Sequence, residues 1–140
     1  MSVLEDTGKR DFRRDRDTDQ YYNFFKTKLG LLDKETFLLS YKYALFKGHP
    51  PKKLDKHPIH IGQISTIDNK EIEFMIIALF VDENNENILD KGSEILNTIE
   101  EYANVGVRLL YDKFVNDDKS EVYILEEIKN EIKQKLEELK

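Results

Sequence analysis

Three histidines, His49, His57 and His60, lie within twelve residues of one another and are the side chains most suited to binding a metal ion. Their spacing matches neither the helical HExxH pattern nor a zinc finger. Prolines between them interrupt the regular helix that would bring two imidazole rings to one face. We therefore expect these histidines to lie in a loop, and we predict neither a metal site nor a bound cofactor.

Acidic residues offer another route to metal binding or acid–base chemistry. Asp112, Asp117 and Asp118 lack the twelve-residue loop with its invariant glycine that binds calcium in helix–loop–helix proteins. We expect these acids to end one helix and begin the next. Glu100 and Glu101 are adjacent, and adjacent side chains on a helix project about 100° apart. The two carboxylates therefore cannot face one substrate as a general acid and a general base.

Nucleophilic and phosphate-binding motifs are absent from the sequence. It contains no cysteine. It also contains neither the GxSxG motif of serine hydrolases nor the glycine-rich loops that bind phosphates and dinucleotides. We therefore predict that the chain is not an enzyme and that it acts by binding other molecules.

Lysines form the candidate nucleic-acid-binding surface. Residues 1–56 hold 13 lysines and arginines against 9 acids, whereas residues 57–140 hold 9 against 19, and the whole chain has a formal charge of −6. An acidic chain is unsuited to coating nucleic acid broadly, but its basic half can contact phosphates locally. The candidate residues are Lys42, Lys47, Lys52, Lys53 and Lys56. A solvated loop without a ligand is the alternative for the segment 42–57.

A predicted helix that includes residues 99–110 carries the candidate protein interface. Its apolar stripe contains Gly106, and a glycine inside a helix costs about 1 kcal/mol relative to alanine. Glycine lets a second helix approach closely, and tyrosine and arginine often anchor interfaces. With the narrow apolar stripe of the last helix, the candidate docking residues are Tyr102, Asn104, Gly106, Arg108, Leu125, Ile128 and Ile132. Packing inside the chain's own core is the alternative for both helices.

The elements that must position these residues are mostly helices. Apolar residues at three- and four-residue spacing predict helices over 18–32, 34–47, 69–80, 93–115 and 120–139. Ile59 and Ile61 alternate with polar residues, which fits either a short strand near 59–64 or a loop pinned to the core. We predict an all-α or mainly α fold, a compact bundle of about five helices.

The chain is predicted to be a single helical domain, residues 18–140, preceded by a flexible charged arm, residues 1–17. The arm alternates acids and bases around Phe12, so it has little apolar surface to offset the entropy of ordering. Its polar start lacks the apolar segment of a signal peptide. The longest apolar run, Phe74 to Val81, has 8 residues, far fewer than the roughly 20 that span a bilayer. We expect a cytoplasmic protein without membrane contact.

The order of sequence features over residues 33–112 resembles that of a known protein family. A helix and a basic, proline-containing loop precede a short apolar segment, the run Ile76–Leu79 and the tract Glu101-Tyr102-Ala103-Asn104-x-Gly106. This order resembles the small Dnd-system-associated proteins (the fourth in that naming series), found beside bacterial DNA phosphorothioation genes. Val105 stands where that family is expected to have a glycine. The resemblance implies an accessory protein of a DNA-modification-linked or other antiphage defence locus, and it brings no catalytic residue.

Three functions follow as hypotheses. The first is a non-enzymatic accessory subunit that binds larger proteins of a bacterial defence complex. Self-association of the chain into an oligomer is compatible with this hypothesis. The second is a nucleic-acid-binding module that uses the basic loop at 42–57, with DNA as a candidate partner. The third is an acidic inhibitor or regulator of a basic partner, in which the acidic C-terminal half mimics the charge of a nucleic acid.

Overall fold

The structure is a computed structural model that describes residues 11–63 and 92–138. Most of these residues lie in helices. The elements in chain order are β1 (Asp11–Arg14), α1 (Asp19–Leu29), α2 (Asp33–Lys47), β2 (Ile59–Gln63), α3 (Gly92–Asn116) and α4 (Glu121–Glu138). A 3₁₀ turn, Arg16–Thr18, connects β1 to α1. The predicted mainly α fold is confirmed, and β2 is the short strand considered near residues 59–64.

The predicted helix over 69–80 and the first ten residues of the predicted arm lie outside the described residues, as do residue 64 of the predicted strand element and residue 139 of the last predicted helix. Within the described ranges, no helix is long and apolar enough to cross a membrane.

The boundaries of α1 and α2 follow from the local sequence. Gly30 and Gly48, which come directly after these helices, have left-handed φ angles of 67° and 75°, a conformation that glycine adopts without steric cost. The helix that the sequence predicts to end at residue 47 does end there, directly before Gly48. At the other end of α2, the Leu32 N–H donates to Glu35 Oε1 at 2.8 Å. Leu32 is therefore the N-terminal capping residue of α2, and Asp33 is the first residue of the helix.

Residues 11–17 are ordered, which corrects their prediction as part of a flexible arm. β1 pairs antiparallel with β2, and the buried ring of Phe12 lies 4.6 Å from that of Phe37. The Arg13 backbone N–H and guanidinium both donate to the Glu100 carboxylate, which is buried in α3. The prediction considered apolar burial alone, whereas strand pairing and a buried ion pair also stabilise this segment.

The crossing of α2 over α3 forms the centre of the core. A Cβ atom built on Gly106 lies 1.8 Å from the backbone carbonyl oxygen of Ser40, so no residue larger than glycine fits at this separation. The largest fully buried apolar side chains are Tyr22, Tyr41, Phe12, Phe25, Phe37, Leu96, Ile99, Leu110 and Ile124. They come from β1 and from all four described helices, so the core joins every helix to the crossing.

One carboxylate organises the connection between α3 and α4. Asp117 accepts a hydrogen bond from the Lys119 N–H at 3.0 Å and another from Lys113 Nζ at 3.2 Å. The hydrogen bond from Lys119, together with that from Lys113, lowers the pKa of Asp117. The ionised carboxylate is therefore the form that this connection prefers.

We expect the Asp117 carboxyl group to titrate below the ordinary aspartate pKa of about 3.9. Because its folded pKa is lowered, its contribution to stability is present above the unfolded pKa and is lost as the pH falls through the folded pKa. NMR detection of the Asp117 carboxyl carbon against pH measures the midpoint. Lys113→Met should raise this midpoint part of the way, and a wild-type midpoint at or above the ordinary value would contradict the arrangement.

Candidate functional site

The α3 residues predicted to form a docking face are used within the chain's own fold, which corrects that prediction. Tyr102 is buried, and its ring meets that of Tyr41 edge-to-face with 6.2 Å between the centroids. Gly106 is buried against Ser40 of α2. The close helix approach that we predicted for a partner is therefore made by α2.

The α4 residues predicted as docking residues are also part of the core. Leu125, Ile128 and Ile132 are all buried, and α4 contacts both α2 and α1. The last helix therefore packs on its own domain, which is the alternative that the sequence left open.

Asn104 joins α3 to the loop between α2 and β2, although it was predicted to face a partner. Its side chain is buried, and Nδ2 donates to the carbonyl oxygens of Lys52 at 3.1 Å and Lys53 at 3.2 Å. Its Oδ1 accepts from Arg108 Nη2 at 3.2 Å. One amide therefore uses both its donor and its acceptor to connect the loop to an arginine one helical turn away.

Arg108, which was predicted to face a partner, binds acids of its own chain. Its Nη2 lies 3.1 Å from Asp15 Oδ2 and 2.9 Å from Asp17 Oδ1, and its guanidinium lies over the ring of Tyr21. Partial burial acts to lower the pKa of Arg108, but the hydrogen bond to Asp17 and the charges of Asp17 and Asp15 outweigh it and raise this pKa. The guanidinium therefore stays charged and offsets one of the two negative charges of these aspartates.

Residues 49–58, which we call the lysine loop, are held by contacts from several elements. Besides the two hydrogen bonds from Asn104, the Lys52 N–H donates to the Glu101 carbonyl oxygen at 3.1 Å. The Asp55 N–H donates to Asp15 Oδ1 at 2.6 Å, and Arg16 Nε donates to the His57 carbonyl oxygen at 2.9 Å. The backbone of this loop is thus fixed to α3 and to the segment that follows β1.

Three acids meet beneath the lysine loop. Carboxylate oxygens of Asp15, Asp17 and Asp55 lie within 4.8 Å of one another, the one such group of histidines and acids among residues 11–63 and 92–138. Arg108 binds two of the three. The cation at this cluster in the structure is therefore the Arg108 guanidinium. This arrangement is more typical of a structural ion pair than of an open metal site.

The five predicted nucleic-acid-binding lysines separate into two groups. Lys52, Lys53 and Lys56 are exposed on the lysine loop. Lys47 lies on α2 and pairs with Glu131 of α4 at 2.6 Å, a hydrogen bond that raises the pKa of Lys47. Lys42 also lies on α2, where it lines a groove facing α4. The loop therefore brings together three of the five candidates.

The three histidines are not brought together as metal ligands. His49 and His57 lie in the lysine loop as predicted, and both are exposed. His60 lies on β2, which corrects its prediction as a loop residue, and its Nδ1 is 2.9 Å from Asp11 Oδ2 on β1. This contact connects the two strands.

Sequence reasoning missed Asp15 and Arg16, two residues that fix the lysine loop. Both lie in the segment taken as an arm, and their loop partners Asp55 and His57 are about forty positions away. The short alternation of acids and bases gave no signal that distinguished them from solvated residues. Only the pairing of β1 with β2 places them beside the loop.

Asn104→Ala is expected to lower the free energy of unfolding by about 1 to 2 kcal/mol, because it leaves two loop carbonyls and part of Arg108 without a buried partner. The Lys52 amide should also exchange its hydrogen faster. Urea unfolding and hydrogen exchange measure the two effects. Asn130→Ala, at an exposed position of α4, is the matched control and should change stability by less than about 0.5 kcal/mol. Unchanged exchange at Lys52 would show that Asn104 does not hold the loop.

The chain matches no protein-family model, and neither curated proteins nor solved structures match it. Its function must therefore be inferred from its own surfaces, of which the lysine loop is the one that the sequence and the fold both single out.

Proposed function

We propose that this chain is a non-catalytic binding protein whose lysine loop contacts the phosphates of a nucleic acid. The observation that carries the proposal is a fixed backbone beneath exposed ammonium groups. Five hydrogen bonds connect the loop backbone to α3 and to the segment that follows β1, while Lys52, Lys53 and Lys56 extend into solvent. A loop that is already ordered loses less conformational entropy on binding, so more of the electrostatic attraction appears as affinity.

The charges around the lysine loop support an anionic ligand. Arg108 offsets one of the two negative charges of Asp15 and Asp17, so one charge of this pair and that of Asp55, the acid within the loop itself, remain. The exposed Arg16 beside His57 adds a fourth positive charge. The overall charge of −6 fits a local contact with a few phosphates, since broad coating needs a basic surface.

Reversal of two loop lysines is expected to weaken binding to a short fluorescein-labelled DNA duplex or single strand at least roughly tenfold. Lys52→Glu/Lys53→Glu removes two phosphate contacts, so the slope of log affinity against log salt should fall by roughly 2. Fluorescence anisotropy over a salt series measures both quantities.

The matched control for this experiment is Lys28→Glu/Lys135→Glu, which changes the net charge equally at exposed positions on α1 and α4. It should leave the salt slope unchanged. Wild-type protein that binds neither probe, or equal losses in both variants, would overturn the proposal.

An accessory subunit of a bacterial DNA-modification-linked or antiphage defence system, acting in the cytoplasm by protein–protein binding, is the second candidate. The resemblance over residues 33–112 supports it. So do Val115, Val122 and Tyr123, which are 54%, 65% and 55% exposed at the α3–α4 connection. Exposed apolar side chains in one region often mark protein contacts. Nucleic-acid binding and a protein partner are compatible in one small subunit.

An acidic inhibitor of a basic partner has less support. Glu127 pairs with Lys119, and Glu131 pairs with Lys47, so two of the acids on α4 already have partners within the chain.

A further inference from the structure

An apolar groove lies between α2 and α4, away from the lysine loop. It has a volume of about 360 Å³, and its lining residues are Leu31, Leu38, Leu39, Ile132, Glu35, Lys42, Lys129 and Lys133. We call it the α2–α4 groove. Aliphatic side chains form its floor and charged side chains form its rim, which is the common composition of a recognition groove.

The groove has the length of a short helical contact. Residues 35, 38, 39 and 42 of α2 lie on one helix face and extend over about 10 Å at 1.5 Å per residue. Residues 129, 132 and 133 form one turn of the facing wall on α4. Two turns of groove match a ligand with apolar side chains at i, i+3 or i+4, and i+7.

Among the described lining residues, the charges on the rim are mostly positive and come from both walls. Lys129 and Lys133 of α4 are exposed, and Lys42 faces them from α2. Glu35 is the acid among the described lining residues, and its carboxylate already accepts the Leu32 N–H that caps α2. The groove is therefore complementary to apolar side chains flanked by carboxylates.

The backbone of the walls favours a helical ligand over an extended one. An extended peptide gains affinity from backbone hydrogen bonds to a sheet edge, but both walls here are helices, whose N–H and C=O groups are paired internally. A helical ligand satisfies its own backbone and presents only side chains.

We propose that the α2–α4 groove binds an amphipathic helix of a partner protein, with leucine-like anchors in the groove and glutamates or aspartates beside Lys42, Lys129 and Lys133. This inference rests on the protein-binding role given above as the second candidate and is independent of nucleic-acid binding. It assigns that role a surface and a class of partner, which the buried residues of α3 do not provide.

The test uses a displayed library of helical peptides with leucines fixed at i, i+4 and i+7 and all flanking positions randomised. We expect selection on the wild-type protein to enrich acidic flanks, and the enriched peptides to bind Lys129→Glu/Lys133→Glu at least roughly tenfold more weakly. Peptides with lysines in place of the selected acids should bind this variant more tightly than the wild type. The control Lys28→Glu/Lys135→Glu should bind the selected peptides like the wild type.

Several outcomes would overturn the inference. They are enrichment of basic flanks, no enrichment, or equal binding to the charge-reversed variant and the control. Dodecanoate binding in the groove without acidic-peptide enrichment would indicate a small amphiphile instead, and a groove-dependent dimer in sedimentation would indicate a second copy of the chain. Because the peptide assay contains no nucleic acid, failure of the lysine-loop proposal leaves its result unaffected.

Discussion

The Gly106→Ala variant is expected to lose about 3 kcal/mol or more of its free energy of unfolding, although the same change normally stabilises a helix by about 1 kcal/mol. The added Cβ would lie 1.8 Å from the carbonyl oxygen of Ser40. A backbone atom in a packed helix cannot turn aside as a side chain can, so α2 and α3 must move apart. Their separation would open the core on both sides of the crossing. Urea unfolding followed by circular dichroism measures the loss.

Two further variants make this result specific. Asp112→Ala is an exposed alanine substitution on the same helix and should change stability by less than about 0.5 kcal/mol. In a Ser40→Ala background, Gly106→Ala should cost as much as it does alone, because the contact is with the Ser40 backbone and not with its side chain. A Gly106→Ala protein as stable as the wild type would mean that the two helices do not cross at this distance.

The glycine also illustrates how far the sequence predicts this fold. A glycine on the apolar stripe of a helix indicates that a second helix approaches closely. A helix does approach Gly106 closely, as predicted. The partner was not predictable, because a pattern along one helix carries no information about which surface it meets. Ser40 lies 66 positions away from Gly106 along the chain, and nothing near it distinguishes it from other small residues on α2.

Local signals predicted the four described helices well, and long-range polar contacts account for the errors. The ends of α2 follow from residues within a turn of each boundary. β1 was missed because its stability depends on β2 and on Glu100, about fifty and ninety positions away. Each of these contacts needs the folded chain to bring its partners together.

The lysine loop depends both on local sequence signals and on long-range contacts. Its exposure and charge were readable from composition, since prolines exclude a helix and lysines prefer solvent. Its fixed backbone was not readable, because Asn104 reaches Lys52 across 52 positions and Arg108 reaches Asp15 across 93. Residues that we assigned to a partner thus hold the loop that the second hypothesis requires. This relation is the reason that nucleic-acid binding, and not docking through α3, is the function favoured here.

The Glu100→Ala variant is expected to lose about 3 kcal/mol of its free energy of unfolding, at the lower end of the range for a broken buried ion pair. Its carboxylate is 1% exposed and accepts the Arg13 N–H at 2.7 Å, Arg13 Nε at 3.2 Å and Arg13 Nη2 at 3.0 Å. The hydrogen bond to Glu100 raises the pKa of Arg13, so the arginine stays charged. Because the Arg13 side chain is 34% exposed, water recovers part of its solvation, which keeps the expected loss from being larger.

Hydrogen exchange should show where this loss acts. The Arg13 amide, which donates directly to Glu100, should exchange its hydrogen much faster in Glu100→Ala. Amides at the α2–α3 crossing should exchange faster only by the factor that corresponds to the loss of global stability. This pattern distinguishes release of β1 from general unfolding. Equal changes at both places would mean that Glu100 stabilises the core and not the strand.

A double-mutant cycle separates the ion pair from simple packing. Arg13→Met should cost at least as much as the matching single variant Glu100→Met, since it leaves a carboxylate that is 1% exposed without its cation. Arg13→Met/Glu100→Met replaces both charges with apolar side chains of similar length, and it should recover most of the stability, because a buried pair often contributes little over well-packed apolar residues. If the double variant is instead as unstable as the sum of the singles, the charges act independently, and β1 is held by its pairing with β2 and by the burial of Phe12.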